Sequence, residues 1–192
     1  EGIVNLYSFT MSTNNVGAVS KTVASLVKSI PARNKDVVSR RFGLKNGKKE
    51  TLESIGKSYG ITRERVRQIE EFAIKQLRKA AEGNQEFEKY VALAKNIISG
   101  NGGVMKERDL FRSFSGSDAD STVNSSLIFM LSLGKDVVKF GENDNLHALW
   151  AASEAALNDF KNLAASVVAF LEKNKTAVPE DGFAVLAESN GV

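Results

Sequence analysis

The residues of this sequence best suited to chemistry are polar side chains at the start of one helical segment. Four of them follow Thr62 at relative positions 0, 1, 4 and 5, namely Arg63, Glu64, Arg67 and Gln68. This spacing places them on one face of an α-helix. The apolar residues of the same segment recur at three- and four-residue steps and define the opposite face: Val66, Ile69, Ala73 and Leu77. We therefore predict that the four polar residues, called the reading face below, point away from a core.

The chemistry of the reading face fits the edges of DNA bases. Arginine can donate two hydrogen bonds to O6 and N7 of guanine, glutamine can pair with adenine, and glutamate can accept from N4 of cytosine. A good bidentate pair discriminates against a wrong base by about 1–3 kcal/mol. The alternative is an exposed helix face held by its own polar contacts, such as Glu64 with Gln68 and Arg67 with Glu70. The spacing alone leaves both interpretations open.

The residues before the reading face predict the element that positions it. Residues 51–70 read TLESIGKSYGITRERVRQIE and predict two helices, over 52–59 and 63–80, joined by a tight turn. Gly56 lets the second helix approach closely, and Gly60 permits a left-handed turn. The hydroxyl of Thr62 can cap the second helix. This is the spacing of a helix-turn-helix, in which the first exposed residues of the second helix meet base edges.

The charge of the chain is divided unevenly. Residues 31–80 hold 14 Lys+Arg against 6 Asp+Glu, whereas residues 81–192 hold 10 against 16. The net charges of +8 and −6, with +1 from residues 1–30, give the total of +3. Such asymmetry indicates that only one part of the chain faces a polyanion.

Several classes of function are disfavoured by composition. The sequence has no cysteine, which removes disulfides and thiolate metal sites, and its single histidine, His147, leaves little material for a zinc site or for His-based catalysis. Asp118, Asp120 and Asp144 lack the spacing of a calcium loop, and GNGG at 100–103 lacks the context of a phosphate-binding loop. No apolar run reaches the ~18 residues of a membrane span. We expect no enzyme, no cofactor, no metal and no membrane association, and a cytoplasmic location.

The pattern of helices and strands predicts four units. They are an N-terminal helical segment (1–30), a helix-turn-helix domain (31–82), a winged helix with a β-hairpin wing (86–150) and the start of a second winged helix (155–192). The hairpin is predicted over 136–140 and 145–150, with His147 in its second strand and Trp150 in the core. The fold class is therefore mainly α, with a small hairpin. The fourth unit rests on apolar positions that repeat after 73 residues.

Residues 36–79 strongly resemble the fourth conserved region of the sigma-70 family of bacterial transcription initiation factors. The resemblance is carried by RRFGL (40–44), TLESIGKSYGITRERVRQIE (51–70) and AIKQLRK (73–79). In that family the second helix reads the −35 promoter element, and the same region docks on the flap of the RNA polymerase β subunit. The resemblance implies that the reading face contacts bases. By resemblance and by charge, the candidates for phosphate contacts are Arg40, Arg41, Lys57, Thr62 and Arg65.

Two departures limit what the sigma resemblance implies. Nothing in the chain resembles the family's second region, which melts the promoter. Residues 86–150 instead resemble the HARE-type winged helix of the polymerase delta subunit, through element order and a few apolar positions. The third helix of this unit, predicted over 123–133, carries no charge, and its wing GEND is acidic. Phosphate neutralisation dominates non-specific affinity for DNA, so we expect this helix to pack or to contact protein.

These observations predict a sequence-specific DNA-binding transcription protein without a promoter-melting module. The expected partners are double-stranded DNA and the RNA polymerase core through its β flap, with location at the nucleoid; a homodimer is left open. The alternative is a delta-like or anti-sigma-like module that binds polymerase without reading DNA. A third alternative is a structural fragment of a longer protein.

Overall fold

Helices make up most of the structure, a computed structural model that describes residues 13–141 and 148–174. The helices are α1 (Thr13–Leu26), α2 (Ala32–Phe42), α3 (Leu52–Tyr59), α4 (Arg63–Ala81), α5 (Gln85–Gly100), α6 (Glu107–Ser115), α7 (Thr122–Leu133) and α8 (Glu154–Asn174). A 3-10 turn (Val27–Ser29) follows α1, and the strands are β1 (Val104–Lys106), β2 (Val138–Phe140) and β3 (Leu149–Ala151). The predicted mainly α fold class is confirmed.

Two threonine caps fix where α3 and α4 begin. The hydroxyl of Thr51 accepts a hydrogen bond from the backbone N–H of Ser54 at 3.1 Å. The hydroxyl of Thr62 accepts one from the backbone N–H of Arg65, also at 3.1 Å. Each cap satisfies a donor that the first helical turn would leave unpaired. The predicted cap at Thr62 is confirmed, and it sets the first turn of the reading helix.

Two glycines fix the angle between α3 and α4. Gly60 has φ 63°, in the left-handed region of backbone conformation that residues other than glycine adopt only at an energetic cost. Gly56 is buried in α3, and a Cβ there would lie 2.7 Å from the carbonyl oxygen of Ile61. Both predicted roles are confirmed. The turn therefore holds α4 tightly against α3.

The second half of the described chain has the element order of a winged helix. Helices α5, α6 and α7 are followed by β2 and β3, and all three strands pair antiparallel in the order β1-β3-β2. The sequence did not predict β1, because three residues after a glycine turn carry no alternating pattern. Strand β2 begins two residues later than predicted, and β3 ends one residue later than predicted, at Ala151. The wing turn, His147 and Asp144 lie outside the described residues.

Helix α7 is buried on all sides. Every residue from 124 to 131 is buried, including the polar Asn124, Ser125 and Ser126. Asn124 donates hydrogen bonds to the carbonyl oxygens of Ser117 and Ala119, so its amide is satisfied. Helices α1, α2, α4, α5 and α6 all pack against α7. The predicted packing role of this uncharged helix is confirmed.

The buried apolar residues form two clusters. A small cluster lies inside the helix-turn-helix and consists of Val37, Ile55, Val66 and Ile69. The large cluster combines residues from α1, α2 and the second half of α4 with α5, α6, α7 and Trp150. The first half of α4 is thus held by the small cluster and its second half by the large one. Residues 31–82 and 86–150, predicted as separate domains, share one core.

A polar seam also joins the two halves. The loop between α2 and α3 approaches the N-terminus of α7 so closely that a Cβ on Gly47 would lie 2.9 Å from the Cα of Ser121. Beside it, Nζ of Lys49 lies 3.4 Å from Oε1 of Glu107 at the start of α6. The halves therefore meet through tight backbone packing and an ion pair, in addition to the shared core.

Glu107 is the centre of this seam. Its second carboxylate oxygen lies 3.2 Å from Nζ of Lys139 and accepts a hydrogen bond from Nε1 of Trp150 at 3.0 Å. Burial by itself would raise the pKa of Glu107, but the charges of Lys139 and Lys49 and the Trp150 hydrogen bond outweigh it and hold the pKa below its ordinary value. Trp150 is 1% exposed, as its predicted core position requires.

The last described helix, α8, covers the start of the predicted second winged helix. Its first turns pack on β1 and β3. Residues 175–192 lie outside the described residues, so the predicted repeat stays a prediction. Within the described helices, none is long and apolar enough to cross a membrane.

Candidate nucleic-acid interface

The reading face lies exposed on the first two turns of α4. All four of its side chains are exposed, with Arg63 at 69% and Arg67 at 47%. Directly behind them, Val66 and Ile69 are buried in the small cluster. The structure therefore brings together the four residues that the sequence placed on one face, on a helix that is fixed along its length.

Arg67 is held by carboxylates on both sides. Its Nε and Nη2 donate to the two carboxylate oxygens of Glu64 at 2.9 and 2.7 Å. Its Nη1 donates to Glu71, one turn further along α4. The hydrogen bond from Arg67 holds the pKa of Glu64 below its ordinary range, and the two carboxylates raise the pKa of Arg67.

The other arginines of this region are also paired. Nε of Arg63 lies 3.2 Å from Oε1 of Glu53 on α3. Nη1 of Arg65 donates to Oε1 of Gln68 at 3.0 Å. Arg65 was predicted as a phosphate contact, and in the structure its partner is the amide of the reading-face residue Gln68. Likewise Glu70, the partner first considered for Arg67, pairs with Arg41 instead, at 3.4 Å.

Sequence reasoning missed Glu53 and Glu71 as members of this site. The spacing of four between Arg67 and Glu71 on one helix is a signal that could have revealed Glu71. Glu53 lies on another helix, and its contact with Arg63 depends on the angle of the turn. With these two residues, the charges of Arg63, Arg65 and Arg67 are balanced in number by those of Glu53, Glu64 and Glu71, although Arg65 itself donates to Gln68. The reading face is therefore close to neutral.

Two of the phosphate candidates brace the scaffold. Arg40 donates to both carboxylate oxygens of Glu50, at 2.9 and 2.7 Å, and to the hydroxyl of Ser58 at 2.7 Å. The hydrogen bond from Arg40 lowers the pKa of Glu50. Arg41 donates to the carbonyl oxygen of Glu50 at 2.8 Å, besides its contact with Glu70. Their N–H groups hold the α2–α3 loop to α3 and α4.

The remaining phosphate candidates are more accessible. Lys57 is exposed on α3 and has no ion-pair partner within the part of the chain that the structure describes. Thr62 is exposed, and its hydroxyl proton stays available because the cap uses only the oxygen. Both flank the reading face, where a DNA backbone would pass if α4 entered the major groove.

A second network orients α3 relative to α2. The hydroxyl of Tyr59 donates to Oδ2 of Asp36 at 2.8 Å, and Nζ of Lys45 donates to Oδ1 at 2.8 Å. The hydrogen bond from Lys45 lowers the pKa of Asp36, and that from Tyr59 lowers it to a smaller extent. The guanidinium groups of Arg33 and Arg40 lie over the Tyr59 ring, 5.3 and 5.9 Å from its centroid. This network holds α3 against α2, and α3 in turn positions α4.

The described residues contain no cluster of His, Asp or Glu arranged to hold a metal ion. Asp118 and Asp120, considered above as a cation site, pair instead with Arg112 and Arg108. Beside the reading face, a shallow open groove is lined by Asn34, Ile69, Phe72 and Lys75, among others.

Comparison with known proteins identifies the segment that carries the reading face. Residues 26–79 match the family model described as Sigma-70, region 4. The chain is 37% identical over 62 residues to the RNA polymerase principal sigma factor HrdD of Streptomyces coelicolor, covering 32% of this chain and 19% of that protein. It is 40% identical over 60 residues to the RNA polymerase sigma factor SigA of a Bacillus species, covering 31% of this chain and 16% of that protein.

These matches confirm the sigma resemblance and extend it to the end of α1. The chain spans about a fifth or less of the length of the curated relatives it matches. The matched family is one of DNA-binding transcription proteins without enzymatic activity, which agrees for this segment with the expectation that the chain is not an enzyme. The resemblance of residues 86–150 to the HARE type stays a prediction.

Proposed function

We propose that this protein binds double-stranded DNA sequence-specifically through the N-terminal turns of α4, in the manner of a sigma factor at a −35-type element. The observation that carries this proposal is the reading face itself. Its four exposed side chains lie at the start of the second helix of a rigid helix-turn-helix, inside the segment that matches Sigma-70, region 4.

In the proposed complex, α4 enters the major groove with its N-terminus towards the bases. Arg63 and Arg67 then address guanine, Gln68 addresses adenine and Glu64 can accept from cytosine. Lys57 and Thr62 contact the phosphates on either side. Arg65, Arg40 and Arg41 reach phosphate only by giving up hydrogen bonds within the chain, so they contribute less.

The near-neutral charge of the reading face determines how the affinity for DNA divides between non-specific and sequence-specific binding. Attraction between basic side chains and phosphate supplies most non-specific affinity for DNA. Here each arginine of the face already has a partner within the chain, so its contacts with the phosphates of a duplex without matching bases add little binding free energy. A duplex with matching bases adds bidentate hydrogen bonds from the donors that those contacts leave free. We therefore expect weak general affinity and marked dependence on sequence.

We further propose that the protein acts in transcription together with the RNA polymerase core, at the nucleoid in the cytoplasm. Residues 26–79 match Sigma-70, region 4, and the relatives reported above are RNA polymerase sigma factors. In this role the segment would regulate initiation or direct polymerase to DNA. The winged-helix half, with α7 buried, would contact protein.

A second function is favoured by one specific observation. Arg63, Arg65 and Arg67 are all paired within the chain, as expected of an exposed helix face that reads no DNA. In that case the sigma-like segment is a module that binds polymerase, delta-like or anti-sigma-like in its effect. Dimerisation is compatible with either function.

Selection of bound duplexes from a random pool at moderate salt tests the proposal. Enrichment of one sequence is expected, and a −35-like hexamer would support the sigma-like mode. No enrichment, combined with co-purification with core polymerase, would establish the second function instead.

Variants at the interface separate base contacts from phosphate contacts. Arg67→Ala and Gln68→Ala should relax base preference at individual positions. Lys57→Ala should weaken binding to all duplexes alike and lower the slope of log affinity against log salt by about one unit. Lys135→Ala, an exposed lysine in the loop after α7, is the matched control and should change neither quantity. Equal effects of Lys57→Ala and Lys135→Ala would contradict the proposed docking.

A further inference from the structure

We propose that Glu71 determines the specificity of the reading face by positioning Arg67. This inference deepens the proposed function and rests on it. Glu71 lies outside the four reading-face residues, one helical turn beyond Arg67, and its carboxylate accepts a hydrogen bond from Nη1 of that arginine.

The hydrogen bonds around Arg67 leave a defined set of free donors. A guanidinium carries five N–H groups: one on Nε and two on each terminal nitrogen. Glu64 takes the Nε–H and one N–H of Nη2, and Glu71 takes one N–H of Nη1. One donor remains on Nη1 and one on Nη2. Two donors on neighbouring nitrogens are what the O6 and N7 acceptors of guanine require.

Glu71 and Glu64 act on opposite ends of the same group. Glu64 alone would leave Arg67 free to turn its Nη1 towards solvent or a phosphate. With Glu71 in place the guanidinium is held at both ends, and less conformational freedom is lost when it binds a base. Arg67 has no other ion-pair partner among the described residues, so these two carboxylates set its orientation.

Glu71 contributes little to the stability of the fold. Its side chain is 62% exposed and that of Arg67 is 47% exposed, and exposed ion pairs of this kind contribute little to stability. Its charge does matter to DNA, because a carboxylate beside the reading face repels phosphate. Glu71 therefore has two separable effects: it reduces affinity for all duplexes through charge, and it sharpens selectivity at one base pair through its hydrogen bond to Arg67.

Two substitutions at Glu71 separate these effects. Glu71→Gln removes the charge but keeps an oxygen that can accept from Nη1, whereas Glu71→Ala removes both. Glu88→Ala and Glu88→Gln are matched controls, since Glu88 is an exposed glutamate on α5. The full chain is used throughout, with the duplex selected from the random pool, its single-base variants and a scrambled duplex. The base pair read by Arg67 is identified as the one at which Arg67→Ala loses preference.

The expected result has two parts. Affinity for the scrambled duplex rises equally in both Glu71 variants and in neither control. Preference at the Arg67 base pair falls about five- to tenfold in Glu71→Ala, at the low end of the range of one bidentate contact, and is largely retained in Glu71→Gln. Preference at the other positions is unchanged, which a merely structural role would not produce.

Two results would overturn the inference and leave the proposed function intact. In the first, Glu71→Ala keeps its preference at the Arg67 base pair; in the second, it loses preference equally at every position. Failure of the unsubstituted protein to select any sequence would instead refute the proposed function, and this inference with it.

Discussion

Replacing Phe129 by alanine should destabilise both halves of the protein together. Phe129 is a fully buried residue of α7, in the winged-helix half. Its ring packs edge-on against Phe42 of the helix-turn-helix half, with ring centroids 5.0 Å apart and planes at 71°. The substitution therefore opens a cavity in the core that the two halves share.

The size of the effect follows from this burial. Truncating a buried phenylalanine to alanine costs about 3–5 kcal/mol, and loss of the aromatic pair accounts for about 0.5–1.5 kcal/mol beyond area burial. For a chain of this length each kcal/mol lowers Tm by about 2–4 °C. The expected decrease in Tm is therefore about 6–20 °C. Phe72→Ala is the matched control, because Phe72 is 57% exposed and its loss should cost at most about 0.5 kcal/mol.

The assay compares probes on each side of the seam. Fluorescence of Trp150, the single tryptophan of the chain, reports the winged-helix half. Amide hydrogen exchange around Leu77 on α4 reports the helix-turn-helix half, because Leu77 is buried in the shared core. In Phe129→Ala the free energy of unfolding should fall by the same amount at both probes. If Trp150 unfolds earlier while exchange near Leu77 is unchanged, the halves are independent and the reasoning from the shared core is wrong.

Two further predictions concern the scaffold of the interface. Gly56→Ala should cost about 1–3 kcal/mol of stability by overpacking, because its Cβ would lie 2.7 Å from the carbonyl oxygen of Ile61; thermal unfolding beside Gly100→Ala, which has open space, checks this, and equal Tm values would contradict it. Because the pKa of Glu107 is lowered in the folded protein, its stabilising effect is present above the ordinary glutamate pKa of about 4.3 and is lost as pH falls through the lower folded pKa. Glu107→Gln should therefore flatten the acid limb of a plot of Tm against pH, and an unchanged limb would exclude Glu107 as its source.

Local features of the sequence were sufficient to predict the helices around the interface. Thr51 and Thr62 lie where caps are needed and set the starts of α3 and α4, and Gly60 lies where the turn must be left-handed and sets the end of α3. The burial of α7 was also predictable, because a helix of uncharged residues has no face suited to water. In each case the residues that determine the structure are close together in sequence.

The features that were not predictable depend on contacts between distant residues. The hydroxyl of Ser126 on α7 bonds that of Ser20 on α1 at 3.3 Å across 106 residues, and no periodic pattern encodes that pairing. The contact of Arg63 with Glu53 depends in the same way on the angle between α3 and α4. The four reading-face residues and the local partner Glu71 could therefore be predicted from sequence, but the pairing of Arg63 with Glu53 could not.

The two clusters of buried residues imply an order of folding. The small cluster joins Val37, Ile55, Val66 and Ile69, which are all encoded between residues 37 and 69, so its loops close at low entropic cost. The large cluster requires α1 to meet α7, whose residues leave the ribosome much later. Until α7 has been synthesised, the apolar side of α1 and of the second half of α4 faces solvent or a chaperone. A fragment cut between the two halves would keep that surface exposed and would be prone to aggregate. The helix-turn-helix of that fragment could nevertheless be folded already.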